Sequence, residues 1–235
     1  MKEKTINGIL IFLVVIFIGA LIFYAVDYYN GKTQVNETAF YLENGAVCSD
    51  KNVINEGKFR FCNISTEKIS LYDLEYPGNE YRILYNFRNL PEQLEYIKVE
   101  QGIGYPLLKP ETYNSQTGQG EVKEKLYLSV PSNFTYFETI FSVQSLSFLM
   151  GQSSTGIYKM DWQLAYSGDY NGSEYPIKSC KDANNNTAVI EFRRGETTQI
   201  KIEDNCIVAY GKDEEELTKV SEKLRYALLG VIKSG

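Results

Sequence analysis

The sequence predicts an α+β protein with a mainly β exterior region, a C-terminal β-β-β-α unit and one N-terminal transmembrane helix. Three observations predict this architecture: an uncharged N-terminal run, many short segments of alternating polarity between turn residues, and a capped amphipathic segment near the C-terminus. The 235 residues carry 24 Lys and Arg against 30 Asp and Glu, which gives a net charge of −6. We expect four segments: a cytoplasmic tail (1–6), a transmembrane anchor (7–26), a β-rich exterior region (27–174) and a C-terminal β-β-β-α module (175–235).

The composition excludes several classes of function. The chain has no histidine, so it cannot build a Ser-His-Asp triad, a Cys-His pair or an imidazole metal site. An acidic chain without a basic block is also a poor ligand for nucleic acid, because such binding depends on neutralising phosphates. We therefore expect no catalytic residue, no cofactor, no metal and no nucleic-acid partner.

The N-terminal run has the length and composition of a membrane span. Thr5 to Val26 carry no charge, and a helix of this length covers roughly 33 Å, against a hydrocarbon core of about 30 Å. A cleaved signal has a shorter apolar region of about 7–15 residues. Lys2 and Lys4 precede the run and Asp27 follows it. The positive-inside rule therefore predicts a single-pass signal-anchor in the cell membrane, with a cytoplasmic N-terminus and an extracellular C-terminal region.

All four cysteines lie beyond the predicted anchor, in even number, as expected for disulfides in an oxidising compartment. Proximity in the sequence favours the pairs Cys48–Cys62 and Cys180–Cys206, while the other two connectivities and free thiols stay open. Zinc is a weak alternative, because the chain has neither a C-x-x-C spacing nor a histidine.

The exterior region is rich in glycosylation sequons of the type N-x-S/T. Chance would give about two among the 17 Asn of the chain, and five occur. The excess indicates a glycoprotein, although Asn, Ser and Thr are also common turn residues. The candidate acceptors are Asn36, Asn63, Asn133, Asn171 and Asn185.

Strand signals dominate the middle of the chain. Alternation is clearest from Met160 to Tyr166, and turn pairs such as Asp204-Asn205 separate the runs. Residues 101–121 read as a long loop, and 134–150 favour a helix that ends at Gly151. The predicted strands are 38–43, 58–63, 67–74, 80–87, 94–100, 124–130, 157–166, 188–193, 197–202 and 206–210.

A helix is predicted after the last strand. Asp213 can serve as its N-cap, and Glu216 stands at the capping-box position three residues later. An apolar stripe at spacings of three and four follows, formed by Leu217, Val220, Leu224, Leu228 and Val231. The charged residues expected to lie largely away from this stripe are Lys219, Glu222, Lys223 and Arg225.

The C-terminal 60 or so residues carry a resemblance. The segments that carry it are Tyr175–Asp182, Val189–Phe192, Asn205–Val208, Gly211–Leu217 and Lys223–Val231. This pattern of strands, a cysteine pair and a capped helix resembles a C-terminal module of archaeal single-span, externally facing surface proteins of unassigned function. The resemblance implies an archaeal, outward-facing protein, and it transfers no functional residue.

Two short motifs have a possible chemical meaning. Ser65 and Lys68 spell S-x-x-K, the nucleophile motif of penicillin-binding enzymes, without the further motifs of those enzymes. Asp182, Asn184 and Asn186 match the first half of a calcium loop, but Thr187 replaces the required glycine. We interpret the first as a turn at a strand edge and the second as an Asn-rich turn beside Cys180.

Aromatic residues are the strongest functional signal. The chain has 19 Tyr, a residue that combines contact area with a hydroxyl and is frequent at binding surfaces. Five of them lie in or beside predicted loops and form a candidate contact surface: Tyr105, Tyr113, Tyr166, Tyr170 and Tyr175.

The resulting hypothesis is a non-catalytic, membrane-anchored cell-surface protein. Its partners are the lipid bilayer, through residues 7–26, and other envelope or surface proteins or glycans, in interaction or assembly. A type IV pilin-like subunit is an alternative, because Gly8 precedes the apolar run, although Leu13 stands where pilins carry an acid. An extracellular hydrolase that uses acidic residues is a second alternative.

Overall fold

The computed structural model describes residues 48–56, 59–65, 72–76, 83–135, 143–144, 146–152, 156–168 and 175–232. The predicted anchor, the predicted strand 38–43, Lys68, Asn36, Tyr170 and Asn171 lie outside these residues. Every helix among the described residues is too short or too polar to cross a bilayer. The elements below belong to the unit Ser49–Gly235.

The smaller sheet is an antiparallel meander of four strands in sequence order. Phe61 pairs with Leu74, which pairs in turn with Tyr85, and all three side chains are buried. This row of apolar residues is the inner face of the meander, because alternate residues of a strand point to one face. Its strands are β1 (Val53–Glu56), β2 (Phe59–Asn63), β3 (Tyr72–Tyr76) and β4 (Ile83–Phe87).

Within the described residues, the larger sheet has six strands in the order β5-β9-β10-β8-β6-β7. β9 and β10 form an antiparallel hairpin, and the other neighbours are parallel. Asp204 and Asn205 close the hairpin with φ of 46° and 64°, the left-handed geometry of a type I′ turn. The strands are β5 (Lys98–Val99), β6 (Lys125–Pro131), β7 (Asp161–Ser167), β8 (Thr187–Arg194), β9 (Gln199–Glu203) and β10 (Cys206–Gly211).

The C-terminal helix (Glu214–Leu228) packs on both sheets. Leu217, Val220 and Leu224 are fully buried in the same cluster as Ile207 and Ala209 of β10. On its other side the helix presents Tyr226, whose ring stacks on Phe87 of β4 at 4.0 Å and meets Phe61 of β2 edge-on at 6.0 Å. The helix therefore fills the space between the two sheets.

This double packing also buries charged residues of the helix. Glu222, Lys223 and Arg225 are buried, with 4–6% of their surface exposed. The apolar stripe identifies only one packed face, and contacts of Glu222 with Arg88 and of Arg225 with Asn86 form a second one. Lys219 is half-buried and pairs with Glu215 and Glu216.

The helix start is confirmed in part. The Asp213 carboxylate accepts a hydrogen bond from the Glu216 N–H at 2.9 Å, as an N-cap does. Glu216 is not the capping-box partner, because its carboxylate instead accepts from the Tyr96 hydroxyl at 2.9 and 3.1 Å. A partner from outside the helix has displaced the local interaction.

The remaining predictions fare unevenly. β1 was not predicted, and the strand expected at 94–100 is a 3-10 turn (Pro91–Leu94) followed by the two-residue β5. Residues 101–121 are irregular as expected, with 3-10 turns at Tyr105–Leu107 and Pro110–Thr112. The described residues of 143–150 are helical. β8, β9, β10 and the C-terminal helix give the predicted β-β-β-α order, and these three strands share one sheet with β5, β6 and β7.

Candidate contact surface at the edge of the larger sheet

The structure arranges four of the predicted tyrosines as two pairs. The rings of Tyr105 and Tyr113 meet edge-on with centroids 4.7 Å apart, and those of Tyr166 and Tyr175 do so at 6.0 Å. The first pair is half-buried within the loop 101–121, next to the buried Pro106 and Leu107. Its packing indicates that it closes this loop. The second pair lies at the edge of the larger sheet.

Among the described strands, β7 is the outermost at this edge, and the chain itself covers one end of it. The Tyr166 N–H donates to the Pro176 carbonyl at 2.9 Å, and the Lys178 N–H donates to the Tyr166 carbonyl at 2.8 Å. Tyr166 and Ile177 thus form a parallel bridge. The segment Pro176–Lys178 acts as a short additional strand at the C-terminal end of β7.

The other end of β7 has no strand partner on its outer side among the described residues. Backbone groups alternate in direction along a strand, so Trp162 and Leu164 direct their N–H and C=O to the same side as Tyr166, away from β6. No hydrogen bond from another described residue reaches them on that side. Such unpaired groups are a template for an additional strand.

Exposed apolar side chains lie along both ends of this edge. Tyr175 is 44% exposed, Ile177 is 48% exposed and Trp162 is 37% exposed. We refer to Trp162, Leu164, Tyr166, Tyr175 and Ile177 as the β7 edge surface. Its aromatic and aliphatic side chains and its free backbone groups are the features that a partner strand would contact.

Close packing of a glycine holds Trp162 in place. A Cβ at Gly151 would lie 3.1 Å from the Trp162 indole nitrogen and 2.9 Å from the Ser147 carbonyl oxygen, closer than atoms normally approach. The backbone at the end of the helical segment therefore lies directly against the indole. A rigidly held aromatic side chain loses little entropy on binding.

The cysteines form the two predicted disulfides. Cys180 pairs with Cys206, with Cα atoms 5.2 Å apart. Cys48 and Cys62 are also disulfide-bonded, and no described cysteine is free. The sulfurs of Cys180 and Cys206 and a carboxylate oxygen of Glu191 lie within 4.8 Å of one another. Since the two sulfurs are bonded to each other, they offer no thiolate to a metal.

A charged network surrounds the Cys180–Cys206 disulfide. Glu191 is buried and accepts hydrogen bonds from the Cys180 N–H at 2.9 Å and from Arg193 Nε at 2.8 Å. Arg193 also donates to Glu203 at 2.8 Å and to the Tyr210 hydroxyl at 3.0 Å. Because the polar groups of the network are hydrogen-bonded to one another, we interpret the network as structural.

The same network shifts the ionisation of its members. The hydrogen bond with Glu191 raises the pKa of Arg193. The hydrogen bond from Lys201, followed by those from Tyr210 and Arg193, lowers the pKa of Glu203 to about 2. Sequence reasoning missed this network, although Glu191 and Arg193, at alternate positions of β8, were a signal for it.

An open groove lies at the opposite edge of the larger sheet. Its volume is about 570 Å³, and polar and charged residues line it. The two carboxylates in it are engaged, since Asp213 caps the helix and Glu216 contacts Tyr96 and Lys219. Burial, followed by the hydrogen bond to Glu216, raises the pKa of Tyr96 to about 12. The lining residues are Tyr96, Lys98, Thr197, Thr198, Gln199, Lys212, Asp213 and Glu216.

The calcium half-motif is an Asn-rich turn, as expected from the sequence. The Asn184 side-chain oxygen accepts from the N–H groups of Asn186 and Thr187, both at 3.0 Å. Asp182 accepts from Lys178 and from the Ser179 N–H, both at 2.9 Å. The side-chain oxygens of Asp182 and Asn184 thus bond to other groups of the chain.

Comparison of the chain with protein-family models, with curated proteins and with solved structures found no match.

Proposed function

We propose that this is a non-catalytic, single-pass cell-surface protein whose exterior region binds envelope or surface proteins through the β7 edge surface. The observation that carries the proposal is the β7 edge, one end of which has no strand partner among the described residues, with exposed aromatic and aliphatic residues beside it. The anchor at residues 7–26 would hold this surface outside the cell membrane.

Strand addition is the mode of contact that this edge favours. An extended segment of a partner can add to a sheet edge, where main-chain hydrogen bonds supply affinity and side-chain pockets supply specificity. The segment Pro176–Lys178 pairs with Tyr166 in this way within the chain. A partner strand would continue the same ladder along Leu164 and Trp162.

The ionisable groups support a binding role over a hydrolytic one. A pair of catalytic carboxylates needs one acid and one base that are free to exchange protons with a substrate. Glu191 and Glu203 are held by Arg193, and the acids in the groove are held by the helix start and by Tyr96 and Lys219. These four carboxylates thus form ion pairs and hydrogen bonds within the folded chain.

The placement outside the cell rests on three sequence features that agree with one another. The uncharged run from Thr5 to Val26 has the length of a membrane span. The four cysteines are bonded in two pairs, which suits an oxidising compartment. The resemblance of the C-terminal module to archaeal surface proteins supports the same placement.

The proposal can be tested by photo-cross-linking of the full chain in its native membrane. A photoreactive residue at the exposed Gln163 of β7 should yield cross-links to another envelope protein. The same probe at the exposed Glu196, in the β8–β9 turn, is the matched control and should yield few. Equal yields at both positions, or none at Gln163, would contradict the proposed contact.

A further inference from the structure

The three described sequons differ in how their asparagines are presented. Asn133 and Asn185 are exposed, and Asn63 is half-buried. Transfer of a saccharide to a folded chain needs an accessible side-chain amide, with a hydroxyl residue two positions later. The structure can therefore discriminate between sequons that are equivalent in sequence.

Asn185 is exposed in a turn whose polar contacts are made by its neighbour. It lies in the turn that Asn184 closes, where the Asn184 N–H donates to the Thr187 carbonyl at 2.9 Å. The neighbouring Asn184 side chain is engaged in this turn, whereas the Asn185 amide and the Thr187 hydroxyl make no hydrogen bond with another described residue. Both groups that define the sequon are thus available to an enzyme.

Asn133 lies in a second turn, directly after β6. The Phe134 N–H donates to the Pro131 carbonyl at 3.0 Å. The Phe134 ring is half-buried with the Arg194 guanidinium 5.6 Å from its centroid, so the middle residue of the sequon anchors the turn. Asn133 and Thr135 on either side of it are exposed.

Asn63 is constrained by the smaller sheet. It is the last residue of β2 and pairs with Tyr72 of β3. Its side-chain oxygen accepts a hydrogen bond from the Ser65 N–H at 2.9 Å, and the preceding Cys62 is disulfide-bonded. The Asn63 amide is therefore half-buried and fixed at the end of a paired strand, unlike the exposed amides of Asn133 and Asn185.

We propose that Asn133 and Asn185 are N-glycosylated and that Asn63 is not. The Asn side-chain nitrogen forms a bond to the anomeric carbon of a saccharide carried on a lipid phosphate. The bond between that carbon and the phosphate oxygen breaks, the lipid phosphate leaves with the electron pair, and the amide nitrogen loses one proton. This assignment rests on the proposed placement outside the membrane.

The two sites stand at opposite ends of adjacent parallel strands. Asn133 follows the C-terminal end of β6 and Asn185 precedes the N-terminal end of β8. Seven strand residues at about 3.3 Å each separate them by roughly 23 Å. Saccharides there would lie at the two ends of the β6–β8 pair, beside β7.

Glycopeptide mass spectrometry of the full chain from its native membrane tests the assignment. We expect a saccharide on the peptides that contain Asn133 and Asn185, and an unmodified peptide that contains Asn63. Asn185→Gln should remove one saccharide mass from the intact protein. Asn186→Gln is the matched control in the same turn: it leaves the sequon of Asn185 and Thr187 intact, so the mass of the saccharide should be retained.

Protease treatment of intact cells separates the two proposals. An unmodified Asn133 or Asn185 in a protein that the protease reaches overturns the assignment and leaves the proposed function standing. An unmodified protein that the protease cannot reach overturns both. A saccharide on Asn63 contradicts the structural discrimination. Thr187→Ser keeps the hydroxyl and should retain the saccharide on Asn185, so loss of that saccharide in this variant would also count against the proposal.

Discussion

Aromatic residues are arranged in opposite ways in two regions of this molecule. Between the helix and the smaller sheet, Tyr226, Phe61 and Phe87 are in ring contact and almost fully buried. At the β7 edge surface, Trp162 and Tyr175 remain substantially exposed. Aromatic side chains therefore stabilise the fold in the first region, whereas in the second they are exposed enough to contact a partner.

The largest expected effect is on the buried side of this comparison. Tyr226→Ala removes a stacked ring from the centre of the helix–sheet interface and should lower the free energy of unfolding by about 3–5 kcal/mol. Urea denaturation of the full chain in detergent measures it. Tyr226→Phe keeps the ring and loses only the hydroxyl bond to the Asn89 carbonyl, so it should cost about 1 kcal/mol. Equal losses in both variants would contradict the stacking role.

The Cys180–Cys206 disulfide should rank next. Replacing both cysteines with serine opens a link across a sequence separation of 26 residues, which in the chain-entropy model costs about 3.5 kcal/mol. Thermal unfolding with and without the pair measures the loss. A variant as stable as the wild type would show that the Glu191–Arg193 network alone holds this face of the sheet.

The pH dependence of stability tests the network around that disulfide. The folded state lowers the pKa of Glu203 from 4.5 to about 2, through Lys201 first. The ionised Glu203 side chain therefore adds to the free energy of unfolding above pH 4.5, and this contribution is lost as the pH falls toward 2. After allowance for solvent screening, the loss should be about 1–2 kcal/mol. Glu203→Gln should remove this part of the acid destabilisation, whereas Glu196→Gln, in the exposed β8–β9 turn, should leave it unchanged.

The smallest effect on stability is expected at the exposed side. Trp162→Ala should cost only about 1 kcal/mol of folding free energy, yet reduce cross-linking from Gln163 about fivefold or more, as loss of a central contact residue does. Tyr96→Ala, at the opposite edge of the same sheet, is a matched exposed aromatic and should leave the yield unchanged. If Trp162→Ala lowers stability strongly but leaves cross-linking unchanged, Trp162 belongs to the folded core and not to the contact surface.

Local signals in the sequence predicted much of the larger sheet and of the helix start. The Asp204-Asn205 turn, the Asp213 cap and both cysteine pairs follow from residues close together in the chain. The buried Glu222 and Arg225 could not be predicted in this way. Their partners are the Arg88 N–H and the Asn86 carbonyl, more than 130 residues away. No local sequence pattern predicts this second packed face of the helix.

The candidate site shows the same limit. The tyrosine count predicted a contact surface, and the Tyr166 and Tyr175 rings lie together at the edge of the larger sheet. The openness of the β7 edge depends on the order of the strands, which places β7 last, and on the return of Pro176–Lys178 to only one end of it. Strand order is a property of the whole fold, so periodicity within each strand cannot supply it.

Hydrogen exchange at the Trp162 and Leu164 amides tests whether a partner strand binds at the β7 edge. The full chain is measured in its native membrane and again after purification in detergent, with the Tyr166 amide as an internal reference that is bonded in both. If a partner strand occupies the β7 edge, the two amides exchange slowly in the membrane and rapidly in the purified protein. Rapid exchange of both amides in both preparations would contradict it.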